Sequence, residues 1–478
     1  MSRAEAGAGF APPDRSPEEL SGLRVLILGL GRFGGGGGAA HFFASHGAVV
    51  TITDLRSEAE LAPSLEPLRE LPIARLRLGE HREEDLEGAD WVVVNPAVKP
   101  RSRALEIASR AGTRLVTEIG LFLSWCRSRF VAGITGSNGK STTAKLLAEM
   151  LGESGLRARL GGNIGASLLG ELREITVEDR VVLELSSFQL ARLGMRTPRP
   201  QAVAITQFSP NHLDWHGDEE AYRLAKEEIL VPSATGQDGA MSGDHDGARA
   251  CARVAALPAG DPHLDAWRRR AAGRVVVPFG SGPPSGPAPG VQGAQGVAAA
   301  VGYRDGWLVT RAGAEEIPIA DSGGFPLRGD ANRGNIACAT ALALALGARR
   351  QGIARAIAAA RPLPHRQEIV AGAQGITFVN DSKATTVEAA CTALEALGPR
   401  VVLLAGGSSK GSTFEALAGA ACRAARAVAL YGETAAALEG SLLEAGFPPR
   451  RLRRVADLGA AFAWAIEVAS PGDTILLS

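Results

Sequence analysis

The chain has 478 residues, 45% of them hydrophobic and 21% charged, the make-up of a globular protein with more than one core. Its 51 Lys plus Arg balance 51 Asp plus Glu, so no excess charge draws it to nucleic acid or to a membrane surface. The five cysteines form no C-x-x-C pair, and the longest apolar run, near Ala339, falls far short of the roughly 20 residues of a membrane span. The first residues lack the apolar stretch of a signal peptide, so the expectation is a cytoplasmic protein.

Residues 1–20, rich in Ala, Pro and charge, are expected to form a disordered arm. From Leu23 onward, short runs rich in Val, Ile and Leu alternate with helical segments. That alternation predicts an α/β fold with mostly parallel sheets buried on both faces. The first unit, 21–118, opens with RVLILGLGRFGGGGG, where Gly29, Gly31 and Gly34 have G-x-G-x-x-G spacing. Strand, glycine turn, helix and a second strand ending at Asp54 form a dinucleotide-type fingerprint in which backbone amides approach a pyrophosphate. The run 34–38 exceeds what one tight turn needs.

The second unit, 119–362, opens with RFVAGITGSNGKSTTAKLLAEML. Gly136, Ser137, Asn138, Gly139, Lys140, Ser141 and Thr142 lie between a strand and a helix, where loop amides and the helix dipole favour polyphosphate. Lys140 is placed to reach the terminal phosphates and the Ser141 hydroxyl to join a Mg²⁺ shell. Ile134 stands where the common phosphate loop has its first glycine, which leaves the shorter form G-x-N-G-K-[ST]. Further on, GSGPPSGPAPGVQGAQG at 280–296 reads as a surface loop. The third unit, 363–478, alternates strands such as RVVLLAGG and AVALYG with alanine-rich helices, and its final strand, DTILLS, ends at Ser478.

With its short phosphate loop, the sequence resembles the Mur ligases and their folylpolyglutamate synthetase relatives, ATP-driven enzymes that join an amino acid to a carboxylate. ELSSFQL (184–190), NHLDWHG (211–217), PHRQE (364–368), NDSKATT (380–386) and AGGSSKG (405–411) carry that resemblance in register, from about Leu23 to the final residue. It implies a Rossmann-like N-terminal domain, a P-loop ATPase-like central domain and a Rossmann-like C-terminal domain. The implied reaction adds D-glutamate to UDP-N-acetylmuramoyl-L-alanine through an acyl phosphate, with ATP and Mg²⁺, in peptidoglycan precursor synthesis by a monomer.

The resemblance also implies roles for single residues. Gly29, Gly31, Arg32, Phe33 and Asn95 belong to the diphosphate of the UDP substrate, Asp54 and Arg56 to its uridine, and Asn163 and Ser186 to the same substrate. Ser141, Glu184, His212 and Lys226 form the metal set, with Lys226 carbamylated by CO₂. Asn332, Asn335, Arg366 and Asp381 face ATP, although Ala331 replaces the His of the family's H-N-x-x-N motif. Lys383, Thr385 and Lys410 hold the incoming amino acid and the γ-phosphate side, and the chemistry rests on Lys140, His212, Lys226, Lys383 and Lys410. Because cations of the second and third units must converge, domain closure is expected. In the family the chain continues past the strand matching DTILLS into a segment that helps to bind D-glutamate, so the expectation is either a sequence that is a fragment or a pocket that lacks that part.

Three other readings compete. A related ligase would use another amino acid or a folate acceptor, against which NDSKAT and SSFQL speak. A truncated, inactive nucleotide-binding relative would keep the fold without turnover. A dehydrogenase would need a hydride-transfer domain where this chain has a phosphate loop.

Overall fold

The computed structural model describes residues 9–31, 34–232, 253–284, 298–313, 315–408 and 413–478. Arg32, Phe33 and Lys410, together with most of the 280–296 loop, therefore lie outside the described residues. The chain divides into two compact units, one of residues 1–322 and 334–356, the other of 323–333 and 357–478.

The first unit holds two sheets. β1 (Arg24–Leu28), β2 (Val49–Asp54), β3 (Ile73–Leu78), β4 (Trp91–Val94) and β5 (Arg114–Val116) pair in parallel in the order β3-β2-β1-β4-β5. This is the doubly wound arrangement that the alternating pattern predicts. The strand order reverses at β1, so the glycine turn that follows it lies at the topological switch point, where such sheets bind ligands. Apolar β1 and β4, buried on both faces, form its centre.

Residues 9–20, expected as part of a disordered arm, are instead tied to this sheet. Phe10 bridges to Leu115, the Arg114 side chain donates to the carbonyl of Pro12, and Leu20 is fully buried. The apolar residues Phe10 and Leu20 within a polar stretch are what fix it.

Among the described residues the second sheet has nine strands: β6 (Phe130–Thr135), β7 (Ala158–Gly162), β8 (Arg180–Glu184), β9 (Ala202–Ile205), β10 (Val254–Pro258), β11 (Val275–Phe279), β12 (Ala300–Arg304), β13 (Trp307–Ala312) and β14 (Glu315–Asp321). Their order is β14-β13-β12-β11-β10-β9-β6-β8-β7, parallel from β7 to β12 and antiparallel at β13 and β14. One hydrophobic cluster runs from Phe42 and Phe43 of the helix Gly35–Ser45, through Leu168 and Leu169, to Leu183 and Val203. The first two sheets thus share a core within one unit.

The second unit contains β15 (Glu368–Ala373), β16 (Ile376–Asn380), β17 (Val401–Gly406), β18 (Ala425–Tyr431), β19 (Leu452–Arg454) and β20 (Thr474–Leu477), in the order β15-β16-β20-β17-β18-β19. Only β15 runs antiparallel to its neighbour. The last strand in sequence lies inside this sheet, between β16 and β17.

Among the described residues, no helix is long and apolar enough to cross a membrane.

Candidate active site

Between β6 and the helix Lys140–Glu153, the loop 136–139 turns on two glycines in conformations that L side chains rarely adopt, with φ of 149° at Gly136 and 82° at Gly139. A Cβ at Gly136 would come within 2.0 Å of Thr206 Oγ1, and one at Gly139 within 2.2 Å of Asn335 Oδ1. Both glycines are therefore required by close approach as well as by backbone shape. The Ser137 amide donates to the Gln207 carbonyl at 2.7 Å, and its hydroxyl donates to the Ser209 carbonyl at 2.7 Å. The Lys140 ammonium rests on the carbonyls of Gly136 and Ser137 at 2.9 and 3.0 Å, curled over the loop it would serve.

Glu184 ends β8, one strand over from the loop, and is 2% exposed. Ser141 donates its hydroxyl to one Glu184 oxygen at 2.6 Å, and Asn163 donates its side-chain amide to the other at 2.8 Å. The Asn163 backbone amide also donates to the Glu184 carbonyl at 2.8 Å. Three residues assigned from separate motifs thus meet at one carboxylate.

Lys226, at the end of the helix Glu219–Glu227, is not the salt-bridged surface lysine that its acidic neighbours suggest. It is 2% exposed, donates to the Gly136 carbonyl at 2.8 Å, and lies 4.4 Å from the centre of the Tyr222 ring. Burial, reinforced by the positive charge of Lys140 and opposed by Glu184, pushes its ammonium well below the ordinary lysine range. Tyr222 sits one helical turn before Lys226 and places its hydroxyl 3.1 Å from Ser137 Oγ.

His212 is exposed, with φ of 54°, and caps the short helix Leu213–His216. Its ring meets Phe188 edge-on at 4.9 Å. His216, which the sequence reading passed over, is 3% exposed with Nε2 3.0 Å from Ser187 Oγ. Burial, with the charges of Lys226 and His212, pushes its imidazole down to about 4. Among the described residues, no three His, Cys, Asp or Glu side chains gather as a metal cluster. Glu184 and Ser141 are in direct contact, whereas His212 and Lys226 lie on other elements.

In the first sheet of this unit, Gly29 and Gly31 have φ of 84° and 75°. A Cβ on Gly31 would come within 2.6 Å of Asn95 Nδ2, which puts Asn95 against the turn. Asp54 accepts from the amides of Leu30 and Gly31 at 2.9 and 3.3 Å and from the Arg56 guanidinium at 3.1 and 3.0 Å. Burial alone would raise this carboxyl, but the Arg56 and amide hydrogen bonds together hold it below the usual carboxylate range. Asp54 thus spends itself on shaping the turn and aiming Arg56. The Ser186 hydroxyl is engaged with Gln189, closing a capping box on the helix Ser187–Leu190.

Asn335 sits against the phosphate loop, 3.4 Å from the Thr143 hydroxyl, and the Asn332 side chain donates to the Arg328 carbonyl at 2.8 Å. In the second unit, Asp381 is 6% exposed and accepts from the Gln367 amide at 3.0 Å, beside Arg366. Burial raises its carboxyl to about 6. Lys383 and Thr385 are exposed on the following turn.

Three segments match known families: residues 23–117 the Mur ligase MurD-like N-terminal domain, 134–256 the Mur ligase middle domain, and 365–478 the Mur ligase glutamate ligase domain. The UDP-N-acetylmuramoylalanine–D-glutamate ligase of Roseiflexus sp. is 39% identical over 96% of this chain and 94% of its own length. The enzyme of the same name from Symbiobacterium thermophilum is 34% identical over 91% and 89%. Among solved structures, the UDP-N-acetylmuramate–alanine ligase of Thermotoga maritima superposes with a TM-score of 0.58 over 95% of both chains at 18% identity. A pseudomurein peptide ligase of Methanothermus fervidus does so with a TM-score of 0.54, over 95% and 96% at 17% identity. These two share the fold.

Proposed function

The chain belongs to the Mur ligase family, and we propose that it joins D-glutamate to UDP-N-acetylmuramoyl-L-alanine, with cleavage of ATP to ADP and phosphate, in cytoplasmic peptidoglycan precursor synthesis. The observation that carries this reading is the meeting of Ser141, Asn163 and Glu184 beside the phosphate loop. It occurs in a chain that matches D-glutamate ligases over nearly their whole length.

A free carboxylate is a poor acyl donor. Phosphoryl transfer from ATP to the L-alanyl carboxylate makes an acyl phosphate. The amine of D-glutamate then attacks its carbonyl carbon, the C–N bond forms, the bond from that carbon to the phosphate oxygen breaks, nitrogen gives up one proton and inorganic phosphate departs. Loop amides and the start of the helix Lys140–Glu153 hold phosphate oxygens, and Lys140 trades its two carbonyl partners for them. The Ser141 hydroxyl and Glu184 carboxylate are the hard oxygen donors that suit Mg²⁺, which when bound offsets phosphate charge.

The neutral amine that burial favours at Lys226 is the form able to attack CO₂, giving an N–C bond and releasing one proton. The resulting carbamate would put an anionic group within electrostatic reach of Lys140 and Glu184, and with His212 it would hold a second Mg²⁺. Gly29, Gly31, Arg32, Phe33 and Asn95 hold the UDP diphosphate, Asp54 and Arg56 the uridine, and Asn163 and Ser186 the rest of that substrate. Asn332, Asn335, Arg366 and Asp381 take the nucleotide of ATP, and Lys383, Thr385 and Lys410 take D-glutamate.

The test is phosphate release with ATP and UDP-N-acetylmuramoyl-L-alanine, comparing D-glutamate, D-aspartate, L-lysine and no acceptor. Release with D-glutamate alone is expected, and release with another acceptor in its place would overturn the assignment.

A further inference from the structure

Arg192 follows the helix Ser187–Leu190 on the second sheet's side, yet its guanidinium reaches the loop after β4 of the first sheet. It donates to the carbonyl of Asn95 at 2.6 Å and to that of Val98. The side chain is 2% exposed, with its guanidinium carbon 5.3 Å from the Trp215 ring centre and 5.9 Å from that of Phe10. Its partners are carbonyl oxygens and ring faces, and among the described residues no carboxylate pairs with it. Burial accordingly lowers it to about 10. A buried cation without a carboxylate is costly to keep.

The loop that it grips is the wall of the glycine turn. A Cβ on Gly29 would meet Asn95 Cβ at 3.1 Å and Val98 Cγ2 at 3.5 Å, so residues 95–98 pack directly on that turn. With two donors in one rigid plane, the guanidinium fixes two carbonyls of the turn at a set spacing, which the freely rotating ammonium of a lysine does not impose. We infer that Arg192 is a positioning residue for the diphosphate of the sugar-nucleotide substrate. It locks the Asn95 turn against Gly29 and Gly31 and leaves an uncompensated positive charge behind them. The same side chain lies over Trp215, whose ring meets that of His216 at 4.5 Å, and so ties the sugar-nucleotide turn to the helix that His212 caps. This inference rests on the assignment of the UDP substrate to the glycine turn.

The experiment measures Kd for UDP-N-acetylmuramoyl-L-alanine and, separately, for a non-hydrolysable ATP analogue, in wild type, Arg192→Met and Arg192→Lys. With Arg192→Met, the sugar-nucleotide Kd is expected to rise about tenfold, the worth of one hydrogen bond from a charged group, while the ATP-analogue Kd stays unchanged. Arg192→Lys restores the charge without the fork and is expected to recover part of the loss. Unchanged sugar-nucleotide binding in Arg192→Met overturns the inference, as does equal weakening of both ligands in both variants. Wild-type protein that fails to bind the sugar nucleotide at all would instead remove the underlying assignment.

Discussion

Asn163 donates its side-chain amide to one oxygen of Glu184 at 2.8 Å. Ser141 takes the other oxygen at 2.6 Å, so the carboxylate is aimed from both sides before any ion arrives. Asn163→Ala should lower apparent Mg²⁺ affinity about 10- to 100-fold, the usual cost of removing an outer partner of a metal ligand. Glu184→Ala should cost about 100-fold or more in kcat, because this carboxylate would hold the Mg²⁺ that offsets charge on the phosphoryl oxygens. Steady-state kinetics over a magnesium titration distinguish the two, and Asn163→Ala with unaltered magnesium dependence would count against the aiming role.

Lys226 has a buried amine one hydrogen bond from the Gly136 carbonyl. Wild-type activity should fall when the buffer is stripped of CO₂ and return with bicarbonate, and Lys226→Ala should be inactive under both conditions. Full activity of Lys226→Ala at low bicarbonate would end the carbamate reading.

The five-glycine run now divides into separate demands. Gly34 has φ of 85° at the helix N-cap. A Cβ on Gly36 would come within 2.3 Å of the Leu30 carbonyl oxygen, and one on Gly38 within 2.4 Å of Ser167 Cβ, whereas Gly35 and Gly37 have room. Gly36→Ala and Gly38→Ala should destabilise the protein by about 1–3 kcal/mol. Gly35→Ala and Gly37→Ala should stabilise it by about 0.4–1 kcal/mol through the unfolded chain. Denaturant midpoints of the four variants test this ranking directly.

Burial raises the Glu118 carboxyl to about 7, against a hydrogen bond from the Ser167 hydroxyl that lowers it. Between the ordinary carboxylate value of 4.5 and about 7, the folded state keeps a proton that the unfolded chain releases. Stability from this group is therefore full below 4.5 and is lost as pH rises through 7. His216 works in the opposite sense: its folded value is about 4 against an ordinary 6.5, so its contribution is lost as pH falls through that window. The two slopes oppose each other where they overlap. Glu118→Gln should gain stability relative to wild type as pH rises from 4.5 to 7, and a constant difference across that range would refute the assignment.

Local signals carried much of the fold and part of the site. The phosphate loop and the glycine turn at Gly29 and Gly31 could be read because each depends on neighbours within a few residues, whereas Glu184 was marked out by the family resemblance of ELSSFQL. Arg192 could not: its partners lie 94 and 97 positions away, and nothing in LARLG distinguishes it from a surface arginine. The burial of Lys226 was hidden for the same reason, since Gly136 is 90 residues distant. A helical spacing of four from Tyr222 was the one available hint. The polar arm concealed the docking of Phe10 and Leu20, because composition averages over the two residues that matter.

The position of β20 has a consequence for how the protein is born. β16 and β17 each need β20 as a neighbour, yet 93 residues separate the end of β16 at Asn380 from Thr474. At typical synthesis speeds of about 5–20 residues per second, β16 waits roughly 5–20 s for that partner to be made. The first two sheets can settle during translation, while the third has an open seam at its middle until residue 477 has left the ribosome.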